Sequence, residues 1–240
     1  MKMKKAALLL LALLIAVLLG GARDGALRVP ILMYHGVADE AWGQPELFVR
    51  VEDMERQLQY LAEGGYTTLT FDELPRAAEV QKPILLTFDD GYRDIYENLF
   101  PLLKKYNLKA TLFLITDSVG HGDNFLTADM LREMAASGLL SIQSHSRTHP
   151  DLTALSPEEL KQELEGSASD IEALTGLKPI ALAYPSGHHN AAVREAAAET
   201  YRYGVTSAKG VYAVGSDPLR IRRLAVPRDM TLTQFAAMIR

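Results

Sequence analysis

The sequence predicts a parallel α/β fold with its strands arranged as a barrel. Three observations point there. Short apolar runs that read as buried strands alternate with helical segments about seven times along the chain. Some of these runs are apolar almost throughout, as strands covered on both faces are. His35, Asp89, Asp90, His145 and the stretch Tyr184 to Gly187 each follow a strand directly, and α/β barrels collect functional groups at the C-terminal ends of strands. Periodicity alone does not separate a barrel from an open doubly wound sheet. The contribution of one candidate site by several strands favours the barrel.

Arg28 to Val37, RVPILMYHGV, reads as a buried strand ending at His35 and Gly36. Val51, Met54, Leu58 and Leu61 fall at helical spacing, so Val51 to Ala62 is an amphipathic helix closed by Gly64 and Gly65. A short strand over Tyr66 to Leu69 and a short helix over Phe71 to Glu79 follow. Pro83 to Phe88, PILLTF, is a buried parallel strand running into Asp89, Asp90 and Gly91. Ile95 to Tyr106 is helical, with Pro101 as a kink or a new start. Ala110 to Ile115 is a strand, Ala128 to Ala136 a helix stopped at Gly138, and Leu140 to Gln143 a strand leading into Ser144 and His145. Ser156, Pro157 and Glu159 open a long helix as N-cap, first-turn proline and capping-box partner, and Gly176 ends it. Ile180 to Tyr184, a segment centred on Val205 and Ile221 to Val226 complete the strands. Ala191 to Thr200 and Thr231 to Ile239 complete the helices.

A chain of 240 residues, 48% hydrophobic and 23% charged, suits one domain with a substantial core. The net charge of −5 and the absence of a Lys or Arg block argue against nucleic-acid binding. With no cysteine, disulfides, thiolate metal sites and a cysteine nucleophile are excluded, and any metal must rest on His and carboxylate ligands. Lys2, Lys4 and Lys5 precede an apolar run from Ala6 to Leu19, followed by Gly20, Gly21 and Ala22. That is the pattern of a secretory signal, shorter than the ~20 residues of a comfortable membrane span. Residues 1–22 are therefore expected to be a signal peptide or N-terminal anchor, and residues 23–240 the functional domain, placed outside the cytoplasm. Loss of Lys2, Lys4 and Lys5 takes the net charge from −5 to −8, which disfavours simple adsorption to anionic polymers and suits a neutral or cationic partner. Any membrane or cell-surface association is expected through the N-terminus, and the domain is expected to be a monomer.

Asp89 and Asp90 are adjacent carboxylates at the end of an apolar strand, costly there without a cation nearby. Their side chains diverge, so one can face a metal and the other a substrate water. Taken alone, Asp-Gly reads as a turn pair. His145 and His149, in HSRTH, are four apart, which places both imidazoles on one face of a helical turn. Two imidazoles and one carboxylate make a site for one divalent ion of the Zn, Ni or Co type, with positions left for water and substrate.

TFDDG at Thr87 to Gly91, with HSRTH at His145 to His149 and NLKATLFLI at Asn107 to Ile115, resembles the polysaccharide deacetylase (NodB-homology) family, carbohydrate esterase family 4. The resemblance runs from roughly Pro30 to Arg228. It implies a distorted seven-stranded (β/α) barrel, Asp89 as catalytic base, and Asp90, His145 and His149 as metal ligands. In Ala183-Tyr184-Pro185-Ser186-Gly187, Ser186 falls where that family uses a backbone N–H to hold the oxyanion. The family's usual base-orienting Arg, its Asp-Trp motif and its late Leu-x-His are missing. VPILMYHGV resembles the start of exported poly-N-acetylglucosamine deacetylases of the IcaB and PgaB type, and that likeness makes His35 the general acid. A histidine is also the side chain most easily poised for that role near neutral pH. By the same likeness Arg223 steadies the base, with Arg220, Arg222 and Arg228 as competitors.

The implied substrate is an acetylated polysaccharide, foremost poly-β-1,6-N-acetyl-D-glucosamine of a biofilm matrix. Peptidoglycan, chitin oligomers and xylan are alternatives, as is an inactive glycan-binding domain. A metallophosphoesterase needs more His and Asp ligands than the sequence supplies. His121, His188 and His189 read as exposed loop residues, with lining of the cleft as the alternative for His188 and His189 beside the Tyr184 to Gly187 stretch, and Trp42 and Phe48 as loop aromatics that are partly buried or stack on a sugar.

Overall fold

A computed structural model describes residues 26–240. The expected leader, residues 1–22, lies outside them. Among the described residues, no helix is long and apolar enough to cross a membrane.

The long first run is three strands rather than one: β1 (Arg28–Val29), β2 (Ile31–Tyr34) and β3 (Gly36–Val37). Pro30 and His35 fall at the breaks, and Pro has no N–H to give to a ladder. There follow β4 (Phe48–Val49), β5 (Thr67–Thr68), β6 (Pro83–Phe88), β7 (Ala110–Leu114), β8 (Leu140–Ser144), β9 (Ala181–Ala183), β10 (Tyr203–Lys209), β11 (Tyr212–Ala213) and β12 (Ile221–Ala225). Strands β2, β12, β10, β9, β8, β7 and β6 pair in that order, and β6 pairs back to β2. All these pairings are parallel, so seven strands close a barrel, as expected. The barrel is uneven. Strands β8 and β9 share one registered pair, Ser144 with Leu182. Beside it, the Gln143 side-chain oxygen accepts from the N–H groups of both Ile180 and Ala181 at 2.7 Å. A side chain thus supplies the missing rungs of the ladder.

Among the described residues, six α-helices accompany the strands: α1 (Val51–Glu63), α2 (Phe100–Tyr106), α3 (Ala128–Ala136), α4 (Pro157–Thr175), α5 (Ala191–Thr200) and α6 (Leu232–Met238). Met54, Leu58 and Leu61 of α1 are buried, as their spacing requires. The capping box of α4 is formed in full by Ser156 and Glu159, and Gly176 ends the helix at φ 73°. The segment Ile95 to Tyr106 is not uniform. Ile95–Leu99 winds as a π-helix and Pro101 sits in the first turn of α2, where its missing donor costs least. Likewise Phe71 to Glu79 forms only a 3-10 helix over Leu74–Glu79.

Alternation along the strands divides the core. Ile31, Leu85, Phe113, Val205 and Ile221 pack together in one cluster, while Leu32, Ile84, Leu86 and Phe88 face the surrounding helices in another. A third cluster joins Leu160 and Leu164 of α4 and Val193 of α5 to Leu182 of β9.

Candidate active site

Asp89 and Asp90 leave the end of β6. Leu85 lies in the inner cluster, so the period of two puts Thr87 and Asp89 on the same side. Continued alternation would send Asp90 outward with Phe88. Instead Asp90 takes φ 77° and Gly91 φ 91°, which turns the chain back over the barrel mouth. A Cβ at Gly91 would also stand 2.6 Å from Leu114 Cδ1, so the position needs glycine. A non-glycine residue in that region carries strain of about 1–3 kcal/mol.

The inward face of β12 supplies the partner of Asp89. Of the four competing arginines only Arg223 is buried, at 2% exposure. Its Nη1 and Nη2 donate to Asp89 Oδ1 and Oδ2, both at 2.7 Å. Nη1 also donates to Thr87 Oγ1 at 3.0 Å and Nε to the Thr206 carbonyl at 3.1 Å, so the guanidinium is well satisfied inside the barrel. Burial pushes the Asp89 carboxyl up, but the Arg223 charge and its two hydrogen bonds outweigh that and bring it down to about 2. Asp89 is therefore ionised at any physiological pH.

His145 follows β8 and is buried. Its Nδ1 lies 2.8 Å from the Ala183 carbonyl. A carbonyl only accepts, so Nδ1 carries the proton and Nε2 presents a lone pair. Nε2 lies 3.5 Å from Asp90 Oδ1. Burial lowers the His145 pKa, so two acceptors face each other with no proton between them. His149 meets His145 edge to face at 4.7 Å between ring centroids. One ligand atom from each of Asp90, His145 and His149 falls within 4.8 Å of the others. A buried carboxylate, a lone pair aimed at it and a second imidazole form a donor set that fits one divalent cation.

The expected helical turn at HSRTH is not what brings the imidazoles together. Residues 145–149 form an irregular loop in which Ser146 and His149 have φ 62° and φ 60°. Two left-handed residues, rather than i,i+4 stacking, fold the second histidine back on the first.

Ser186 lies in the turn Pro185–Gly187 after β9, at φ 54°. Among the described residues its N–H has no hydrogen-bond partner. His35, half-buried between β2 and β3, and Arg223 join Asp89, Asp90, His145, His149 and Ser186 in lining one cleft of about 610 Å³. All seven residues singled out in the sequence thus reach the same cavity, at the C-terminal end of the barrel.

Tyr92, Phe125 and Asp117 also line it, and sequence reasoning missed them. The position of Tyr92 directly after DDG was the one available signal. Phe48 is buried, stacked on Tyr92 at 5.3 Å, and half-buried Trp42 meets Tyr92 edge-on at 4.7 Å. These two aromatics back the cleft wall rather than line it. His121 is exposed at the cleft, His188 pairs with Asp151 at 3.1 Å, and His189 stacks on Tyr184 at 5.1 Å.

Comparison with known proteins follows the same lines. Residues 76–204 match the family described as Polysaccharide deacetylase. The poly-beta-1,6-N-acetyl-D-glucosamine N-deacetylase of Staphylococcus epidermidis is 33% identical over 198 residues, covering 74% of this chain and 68% of that protein. The crystal structure of a polysaccharide deacetylase from Bacillus cereus superposes with a TM-score of 0.85 at 33% identity, covering 90% of this chain and 70% of that one. The Streptococcus pyogenes deacetylase PplD, in complex with acetate, gives 0.83 at 30% identity, with 90% and 99% covered. The chain belongs to the polysaccharide deacetylase family.

Proposed function

We propose that this protein is a metal-dependent hydrolase that removes N-acetyl groups from an exported polysaccharide, with poly-β-1,6-N-acetyl-D-glucosamine as the leading substrate. One observation carries the reading: an ionised carboxylate, clamped by Arg223 at 2.7 Å through both oxygens, stands beside a separate Asp90, His145 and His149 set. A turn or a glycan-binding wall has no need of that division between a held base and a cation site. The substrate rests on the relative from Staphylococcus epidermidis and on the net negative charge of the chain, which suits a neutral or cationic glycan.

Asp90, His145 and His149 would hold a divalent cation of the Zn, Ni or Co type, which when bound would supply polarisation of the acetamide carbonyl and acidification of a water. Asp89 accepts the proton of the attacking water, and Arg223 keeps both its oxygens fixed through the step. The Ser186 N–H donates to the oxygen that gains charge at the tetrahedral stage. His35 gives a proton to the amine nitrogen as its bond to the acyl carbon breaks, so acetate and a free amine leave.

The test is acetate release from a panel of N- and O-acetylated glycans, with metal content measured on the same sample. Release from N-acetylglucosamine polymers, abolished in Asp89→Asn with metal retained, is expected. Undiminished release in that variant, or release from O-acetylated glycans alone, would sink the reading.

A further inference from the structure

The two imidazoles are held together by a loop that makes one hydrogen bond within itself, from the His149 N–H to Ser146 Oγ at 3.0 Å. Arg147 and Thr148, between the histidines, are exposed, and their neighbours Ser146 and His149 are left-handed. Left alone, such a loop relaxes to the right-handed or extended backbone that non-glycine residues prefer. Further restraint comes from outside, and the Ser146 and Arg147 carbonyls accept from the N–H groups of Thr116 at 3.4 Å and Asp117 at 2.9 Å. Glu163 Oε2 accepts from the N–H of Arg147 at 2.8 Å and of Thr148 at 2.9 Å, and Glu163 Oε1 from the Thr148 hydroxyl at 2.6 Å. One carboxylate thus fixes two successive amides and a side chain.

Glu163 does not act alone. Four residues later, the buried Ser167 hydroxyl lies 2.8 Å from that of Ser144, whose oxygen accepts from Ser146 N–H at 3.1 Å. Three residues further, Asp170 accepts from Thr116 at 2.8 Å and pairs with Arg147 at 3.3 Å. Positions 163, 167 and 170 follow the i, i+4, i+7 spacing of one helix face, here the face of α4 turned to the loop. Gly166, on the same face, leaves room for the Arg147 stem, which a Cβ would approach to 3.3 Å.

We infer that Glu163 is a positioning residue for the metal centre, the chief contact of a rack on α4 that sets the distance between His145 and His149. The inference rests on the reading of Asp90, His145 and His149 as a metal site. Groups that orient ligands from outside typically carry roughly 10- to 100-fold in metal affinity. A role in general stability would leave the affinity of the folded protein unchanged.

The experiment compares the full chain with Glu163→Ala, Glu163→Asp and Glu163→Gln. Co²⁺ alone is titrated, followed by its visible spectrum, and amide exchange of Arg147 and Thr148 is measured without metal. Glu163→Ala should lose at least tenfold in Co²⁺ affinity, change the visible band and speed both amides. Glu163→Asp, one methylene too short, should do the same and serves if the alanine variant fails to fold. Glu163→Gln, whose oxygen still accepts both N–H groups, should stay near the parent. Parent-like affinity and exchange in the Ala and Asp variants would overturn the rack. A parent that binds no Co²⁺ would sink the metal reading instead, and the exchange rates alone would then decide whether Glu163 holds the loop.

Discussion

The Asp89–Arg223 pair concentrates the site's energetics in two buried side chains. Asp89 is depressed to about 2 from a reference of 3.8, so its contribution to stability is full above pH ~4 and is lost as pH falls through about 2. Removing the guanidinium strands a buried carboxylate. Arg223→Met should cost about 3–5 kcal/mol by denaturant titration. The Asp89 pKa should rise, moving the acidic limb of the rate profile to higher pH. An unmoved limb would show that Asp89 is not the group being read. Asp94 is the opposite case. It accepts from Val37 N–H at 2.7 Å, and burial raises it to about 6. Between pH ~4 and about 6 the folded chain keeps a proton that the unfolded chain has lost, so this group's contribution falls as pH rises, with the full penalty above 6. Asp94→Asn retains an acceptor and removes the charge. On metal-free protein it should gain on the order of 1–3 kcal/mol at pH 7 and nothing at pH 4, measured as unfolding midpoints.

The elements show where sequence was enough. β6 and β8 were legible because an apolar run ending in Asp or His has few readings, and α4 because its cap is written in Ser156, Pro157 and Glu159. Arg223 could be placed only once β12 was known to present Ile221 inward, two residues earlier. The fold of HSRTH was not legible. Its spacing favours a helical turn, and many of the restraints on the loop sit on α4, 15 to 23 residues away in sequence. The π-helix at Ile95–Leu99 was hidden for the same reason, since Asn98 bonds to the Val37 carbonyl at 2.7 Å from 61 positions away. Breaking the cap of α4 tests how much the rack depends on its helix. Ser156→Ala removes the acceptor for Glu159 N–H and the donor to its carboxylate. It should cost about 1 kcal/mol, with Co²⁺ affinity nearly unchanged because Glu163 lies beyond the first turn.

At the scale of the molecule, the barrel brings groups from β2, β6, β8, β9 and β12 to one mouth, which explains how residues between positions 35 and 223 serve one site. A ligand that binds only the folded state adds RT ln(1 + [L]/Kd), about 2.7 kcal/mol at a hundredfold excess over Kd. Chelation should therefore lower the thermal midpoint of the parent and leave His149→Ala where it was. Equal shifts in both would show that the metal acts elsewhere.

The Gln143 amide closes the seam between the stave that ends in His145 and the stave that ends at the Ser186 turn. Beside one backbone pair and the His145–Ala183 bond, that side chain carries much of the seam, and a single rotamer change frees the Ile180 and Ala181 amides together. Those two protons should exchange with solvent sooner than their counterparts on β6 and β7. Parting there would separate the imidazole side of the cleft from the Ser186 side, so the barrel seam with the fewest registered pairs is also where the candidate site would first come apart.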